Sequence, residues 1–287
     1  MADRLYASQW EDYELLDAGN GKKLERFGSV ITIRPELQAY FKSGLSVSEW
    51  NRLAHWEFVE QTKSKGYWKA LKPGFEQPFS WDIHVDTLCA EVELTKFKHI
   101  GIFPEQYANW QFIRNQINPG DRFLNLFAYT GIASIVAKSA GAEVTHVDAV
   151  RQLVTWAKKN MEKSGLQDIR WMVEDALKFA QREVKRNHQY QGIIMDPPAF
   201  GLGAKGEKWI LEEQLPFLLE AAQQLLHPER SFLLLNTYSP KLNLDILKEI
   251  SLSYFSPDTC HFSELRMRTK SGKDLFYGNL LRVEIGG

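Results

Sequence analysis

The sequence predicts an α/β chain, a doubly wound parallel sheet preceded by a small, mostly antiparallel β module. Three observations carry that expectation. From Phe123 onward short apolar strands alternate with amphipathic helical stretches, the pattern of strand–helix–strand crossovers. Before residue 90 the text reads instead as hairpins rich in tryptophan. At the far end, Cys260 to Arg268 and Leu275 to Glu284 flank Lys270-Ser271-Gly272-Lys273 as a closing antiparallel pair.

The module, residues 1–90, opens with strand text at Tyr13-Glu14-Leu15-Leu16, a turn at Asp17-Ala18-Gly19-Asn20-Gly21, and strands over Leu24 to Phe27 and Val30 to Ile33. Trp50 and Trp56 fall in an expected short helix, and Trp68 and Trp81 lie around the turn Lys72-Pro73-Gly74. These tryptophans can stack bases, but core packing is the preferred reading in so small a module. The second domain, residues 91–287, starts with a strand-like alternation over Ala90 to Phe103 and a helix over Tyr107 to Ile117, stopped by Asn118-Pro119-Gly120. Then come strand Phe123 to Phe127, helix Ile132 to Ala140, strand Glu143 to Asp148 and helix Val150 to Ser164, the helices closed by Gly141 and Gly165. Strand Ile169 to Val173, helix Ala176 to Val184, strand Gly192 to Met195, helix Trp209 to Leu226, strand Ser231 to Asn236 and helix Asp245 to Tyr254 continue the alternation.

The 287 residues, 44% hydrophobic and 25% charged, suit a chain that buries a proper core. A formal net charge of −1 excludes a global positive field, so any nucleic-acid contact must be local. Cys89 and Cys260, far apart and outside any CxxC pattern, suggest neither a disulfide framework nor a zinc site. No metal is expected. The first residues lack a basic-then-apolar leader and no apolar run is long enough to span a bilayer, so a cytoplasmic, unanchored protein is expected.

Chemistry concentrates where strands end. Asn125-Leu126-Phe127 runs into Ala128-Tyr129-Thr130-Gly131 and then a helix, a place where small residues let backbone approach a nucleotide-type ligand. With one glycine, and no GxxxxGK[ST], the loop suits a ligand without pyrophosphate. Asp148-Ala149 closes the second strand, about twenty residues after the first loop, where an acid takes ribose hydroxyls. Asp175-Ala176 closes the third, with a carboxylate for an amino group and a backbone N–H for a ring nitrogen. Either aspartate can instead be a helix cap. Asp196-Pro197-Pro198-Ala199-Phe200 closes the fourth: proline lacks an N–H, fixes φ and forces the chain out of the strand. Asp-Pro also merely starts turns. Three carboxylates closing three successive strands should face one crevice.

This set resembles the class I S-adenosylmethionine-dependent methyltransferases over about residues 95–287, and within them the enzymes that methylate large-subunit ribosomal RNA on cytosine or guanine. The resemblance implies a Rossmann-like, seven-stranded domain using S-adenosylmethionine and releasing S-adenosylhomocysteine, with RNA as partner. It implies cofactor contacts from Asn125, Phe127, Ala128, Tyr129, Thr130, Gly131, Asp148, Ala149, Asp175, Ala176 and Asp196, with Gln106 added from the segment Phe103-Pro104-Glu105-Gln106. It gives Asp196, Pro197, Pro198 and Phe200 to the acceptor base, with Tyr238 as a further pocket residue or a packing residue. Relatives that methylate cytosine C5 use a cysteine after the fifth strand; Leu235-Asn236-Thr237-Tyr238 has tyrosine there, and a phenol is a poor substitute for a thiolate. N-methylation is therefore favoured. A protein or small-molecule acceptor, or a binding protein without turnover, are the alternatives. Gly201 to Lys208 reads as a loop suited to a lid, and Arg266, Arg268, Lys270 and Lys273 as phosphate contacts or, preferred, a solvated strand edge.

Overall fold

The computed structural model describes residues 3–62, 65–74, 79–202 and 208–286. In chain order the elements are β1 (Asp3–Tyr6), β2 (Tyr13–Gly19), β3 (Lys22–Phe27), β4 (Val30–Pro35), α1 (Val47–Leu53), β5 (Trp56–Glu60), β6 (Gly66–Ala70), β7 (Ser80–Val85), β8 (Leu88–Glu93) and α2 (Tyr107–Gln116). They continue as β9 (Arg122–Leu126), α3 (Ile132–Ser139), β10 (Glu143–Asp148), α4 (Arg151–Lys163), β11 (Arg170–Val173), α5 (Ala176–Lys185) and β12 (Gly192–Met195). The last are β13 (Phe200–Leu202), β14 (Lys208–Ile210), α6 (Leu211–Leu225), β15 (Ser231–Thr237), α7 (Leu244–Ser251), β16 (Cys260–Arg268) and β17 (Asp274–Ile285).

Two compact units emerge, one of residues 1–5, 108–265 and 277–287, the other of residues 6–107 and 266–276. The boundary expected near residue 90 would cut through β8. The turn of the closing hairpin belongs to the second of these units.

The larger unit is the expected Rossmann-like domain. Its sheet has the order β1-β16-β17-β15-β12-β9-β10-β11. β11, β10, β9, β12 and β15 are mutually parallel and β17 is antiparallel to β15. Seven strands match the expectation, and β1, from the first residues of the chain, adds an eighth. The order reverses between β9 and β12, so their carboxyl ends open the crevice in which such sheets bind ligands. One face is a continuous apolar core: Leu124, Leu126, Val147, Ile193, Met195, Leu233 and Leu235 pack under Phe179, Leu215, Leu218, Leu219 and Leu247 of α5, α6 and α7. On β9 and β10 the alternate positions carry polar groups under α3: Asn125 Nδ2 donates to Ser134 Oγ at 2.9 Å, and Ser134 Oγ lies 3.0 Å from His146 Nδ1. Burial holds the His146 imidazole neutral, its pKa lowered to about 3.

The smaller unit holds a five-stranded sheet, β2-β3-β4-β5-β6, and the hairpin β7-β8. Ser46 and Glu49 form a reciprocal capping box that starts α1. Trp56 falls in β5 rather than in that helix, because β5 pairs with β4 and β6 and long-range pairing outweighs local propensity. The strand expected to reach Phe103 stops at Glu93, and a 3-10 turn, Pro104–Gln106, precedes α2. Trp50, Trp56 and Trp68 are buried and Trp81 is half-buried, the packing role preferred from sequence. At the centre, fully buried Glu25 accepts from Arg34 Nε and Nη2 at 2.9 and 2.6 Å and from Tyr13 Oη at 3.0 Å, with Lys23 Nζ at 3.3 Å. Burial opposes its ionisation, but Arg34 and Lys23 outweigh burial and hold the carboxyl below its usual range. Buried Asp17 gathers Leu45 N at 2.7 Å, Trp50 Nε1 at 2.9 Å, Gly44 N at 3.1 Å and, from the closing hairpin, Ser271 Oγ at 2.5 Å. Among the described residues, no helix is long and apolar enough to cross a membrane.

Candidate active site

Sheet register brings the strand ends together. Val147, Leu126, Met195 and Leu235 form one row across β10, β9, β12 and β15, so the next residues, Asp148, Phe127, Asp196 and Asn236, form the row above it. Neighbouring strands are about 4.8 Å apart, which sets Asp148 and Asp196 roughly 10 Å apart across the switch point.

The first loop is built against backbone preference. Phe127 and Tyr129 both have left-handed φ, +57° and +51°, and Gly131 follows at +83°. Asp148 fixes this turn: its Oδ2 accepts Tyr129 N–H at 2.9 Å and its Oδ1 accepts Val150 N–H at 2.8 Å. It caps no helix; it ties the β9–α3 loop to the β10–α4 loop. Burial pushes its carboxyl up, and the two backbone bonds pull against that. At Gly131 a Cβ would come within 2.8 Å of Ala157 Cβ, so the close approach of α4 requires glycine. Thr130 is buried, its carbonyl accepting from Asn160 Nδ2 at 2.9 Å.

The other sequence candidates sort themselves. Asn125 spends its amide nitrogen on Ser134, beneath α3. Ala128 is buried and Ala149 exposed beside Asp148. Asp175 is the N-cap of α5, accepting Lys178 N–H at 2.9 Å, so the capping reading of that residue holds, and Ala176 is buried behind it. Gln106 is buried in the 3-10 turn of the smaller unit.

At the fourth strand end, Asp196 is half-buried, and burial pushes its carboxyl up to about 6, with a hydrogen bond from Asn236 Nδ2 at 3.3 Å opposing the rise. Pro197 is buried, Pro198 exposed, and Phe200 stands 60% exposed. Tyr238, beyond β15, is 39% exposed. The turn is braced by Trp209: its Nε1 donates to the Pro198 carbonyl at 2.7 Å, and its ring lies 4.8 Å from that of Phe127. Trp209 is a β14 residue, not the start of the following helix, because β13 and β14 pair as a small ribbon, Gly201 opposite Trp209. The lid suggested by sequence, Gly201 to Lys208, falls largely on residues 203–207, outside the described residues. Trp209 and Asn236 were missed as site residues; each looked like an ordinary member of a helix or strand. So were the half-exposed Val150 and Val173, apolar side chains beside Asp148 and just before the Glu174-Asp175 turn.

Phosphate contacts from the closing hairpin fare less well. Arg266 pairs with Asp274 at 3.4 Å, Lys270 pairs with Glu14, Arg268 stacks over Tyr6 at 4.7 Å and Lys273 over Phe41 at 5.8 Å.

Comparisons with known proteins identify the family. Residues 60–268 match the family model described as S-adenosylmethionine-dependent methyltransferase. A crystal structure of the SAM-dependent methyltransferase from Agrobacterium tumefaciens is 34% identical, covers 99% of this chain and 95% of that chain, and superposes with a TM-score of 0.91. The structure of SMU.776 complexed with SAH shares the fold at 17% identity, with a TM-score of 0.77 over 97% of this chain and 76% of that chain. Ribosomal RNA large subunit methyltransferase K/L of Shewanella baltica is 28% identical over 176 residues, 58% of this chain and 24% of that protein. The chain thus spans about a quarter of the length of the curated relatives it matches.

Proposed function

Because this chain belongs to the S-adenosylmethionine-dependent methyltransferases, we propose that it methylates an amine nitrogen of an RNA base, ribosomal RNA being the substrate class favoured. The observation that carries this reading is the strand-end row with Asp196 at its centre. The donor set suits the cofactor: carboxylates for hydroxyls, an amino group and a cationic centre, the apolar side chains Val150 and Val173 for a flat ring, and a buried, pre-bent loop in place of a phosphate cradle. When bound, S-adenosylmethionine supplies an electrophilic methyl on a sulfonium.

The protein's own task is alignment and hydrogen bonding. Asp148 would take the ribose hydroxyls, and the backbone of residues 127–131 would hold the remainder of the cofactor. The Asp175-Ala176 turn takes the adenine edge. The Asp196 carboxylate and the Pro197 carbonyl accept the two N–H bonds of the acceptor amine, turning its lone pair toward the methyl. On methylation Asp196 or water would take the extra proton from the acceptor nitrogen. Phe200 stacks on the base, with Tyr238 at the pocket wall. Cytosine C5 chemistry lacks its nucleophile. Cys89 is buried in β8, and Cys260 lies in β16, where burial pushes its thiol up, away from thiolate.

A second reading, an amine on a protein or small molecule, is favoured by one observation: the hairpin cations are engaged within the protein. The experiment has two steps. Calorimetry measures S-adenosylmethionine affinity of the wild type and Asp148→Ala, where a loss of about tenfold or more is expected from a carboxylate bonded to hydroxyls. Transfer of labelled methyl is then followed into ribosomal RNA from a strain lacking the gene, beside protein and small-molecule fractions. Label in RNA supports the first reading; label only elsewhere supports the second; binding with no transfer leaves a binding protein of this fold.

A further inference from the structure

Asn236 is 5% exposed at the end of β15, level with Asp196 on the adjacent strand β12. Its amide nitrogen donates to Asp196 Oδ1 at 3.3 Å, while its amide oxygen is buried with no hydrogen-bond partner among the described residues. A buried carbonyl left unmet is costly, and a leucine of similar shape would avoid that cost. The carboxamide fits because residue 278 is a glycine: at φ +121° a Cβ there would lie 3.1 Å from Asn236 Oδ1 and 2.6 Å from the Thr237 carbonyl oxygen. The surrounding backbone is pinned. Thr237 Oγ1 donates to the Asn279 carbonyl at 3.3 Å, and Asn279 Nδ2 donates to the Leu242 carbonyl at 2.8 Å.

Three neighbouring strands therefore cooperate at one point: β17 supplies the space, β15 the amide and β12 the carboxylate. We propose that Asn236 is a positioning residue for methyl transfer, holding one oxygen of Asp196 so that the carboxylate is oriented toward the acceptor amine. This rests on the reading of Asp196 as the group that receives that amine. The same bond favours the ionised carboxylate against the burial that raises it. Among the described residues, the titratable groups at neighbouring strand and loop ends include Asp148, Glu174, Asp175, Lys208, Glu212 and Tyr238; burial and the Asn236 amide are the two causes of the Asp196 shift.

The test is a carbon-13 NMR titration of protein labelled at the aspartate carboxyl carbon, with the Asp196 signal assigned by its absence in Asp196→Asn. In Asn236→Leu the Asp196 midpoint is expected to rise by about one pH unit, as for loss of one hydrogen bond to a charged group. The acid limb of the methyl-transfer profile moves with it, while S-adenosylmethionine affinity stays near the wild type. Asn236→Asp sets a second carboxyl beside the first and is expected to titrate in two steps, the upper above the wild-type midpoint. A midpoint unmoved in both variants, with or without a fall in melting temperature, overturns the proposal and leaves Asn236 a packing residue. A midpoint that moves while Asp196→Asn retains full transfer overturns the role of Asp196 in the reaction instead.

Discussion

Replacing Asp196 by asparagine should make the protein more stable at neutral pH while removing methyl transfer. Burial raises this carboxyl from its usual 3.8 to about 6 in the folded chain. Between those two values the folded state holds a proton that the unfolded state has released, so stability falls as pH rises through that window and is flat above it. The gap amounts to about 3 kcal/mol of destabilisation at neutral pH, fully absent below pH 3.8. Asparagine keeps the shape and carries no charge, but it turns the bond from Asn236 into a neutral one, returning about 1 kcal/mol of the gain. The net is about 2 kcal/mol at pH 7.5, or roughly 4–8 °C in melting temperature for a unit of this size. Thermal melts of wild type and Asp196→Asn from pH 4 to pH 8 read it directly. A gain equal at both ends of the range, or a loss at pH 7.5, refutes the assignment of a costly, half-buried carboxylate at this strand end.

Three further outcomes follow from the geometry. Gly131→Ala forces a left-handed alanine and a methyl 2.8 Å from Ala157, so a loss of about 2–4 kcal/mol is expected in urea unfolding, whether or not the cofactor site is used. Phe200→Ala, at a side chain 60% exposed, should leave stability nearly unchanged but raise KM for a base substrate, the stack being worth about 1–3 kcal/mol; an unchanged KM would remove Phe200 from the acceptor pocket. Glu25→Gln removes the buried charge that Arg34 and Lys23 share, Lys23 keeping Glu36 at 3.5 Å, and should cost about 3–5 kcal/mol in the smaller unit, seen as an earlier melting transition.

What the sequence disclosed, and what it hid, divides along sequence distance. The strand and helix alternation from Phe123 to Asn236 was legible because every crossover is local and most of its turns carry glycine, proline or a capping residue. Asp196 was legible because Pro197 and Pro198 cannot continue a strand. Asn236 was not: its register with Asp196 depends on two strands meeting forty residues apart, and nothing local separates it from any polar residue in a sheet. Trp209 was absorbed into the periodicity of the helix that follows it, although a three-residue ribbon claims it. Trp56 has no helical anchor once β4 and β6 pair on either side of it. Asp175 showed the opposite failing, a residue whose local role as a cap was as readable as any more distant role.

The hairpin turn that Asp17 holds through Ser271 also sets an order of assembly. Ala7 N–H donates to the Arg266 carbonyl and Lys270 N–H to the Leu15 carbonyl, so the smaller unit is completed by a segment synthesised about 160 residues after Tyr107. At ribosomal rates that delay is roughly 10–30 s. Through that interval Asp17, destined for the interior, lacks one of its four donors, and the module lacks the backbone bonds from Ala7 to Arg266 and from Lys270 to Leu15. A version truncated after residue 107 would lack the 266–276 segment that belongs to this unit.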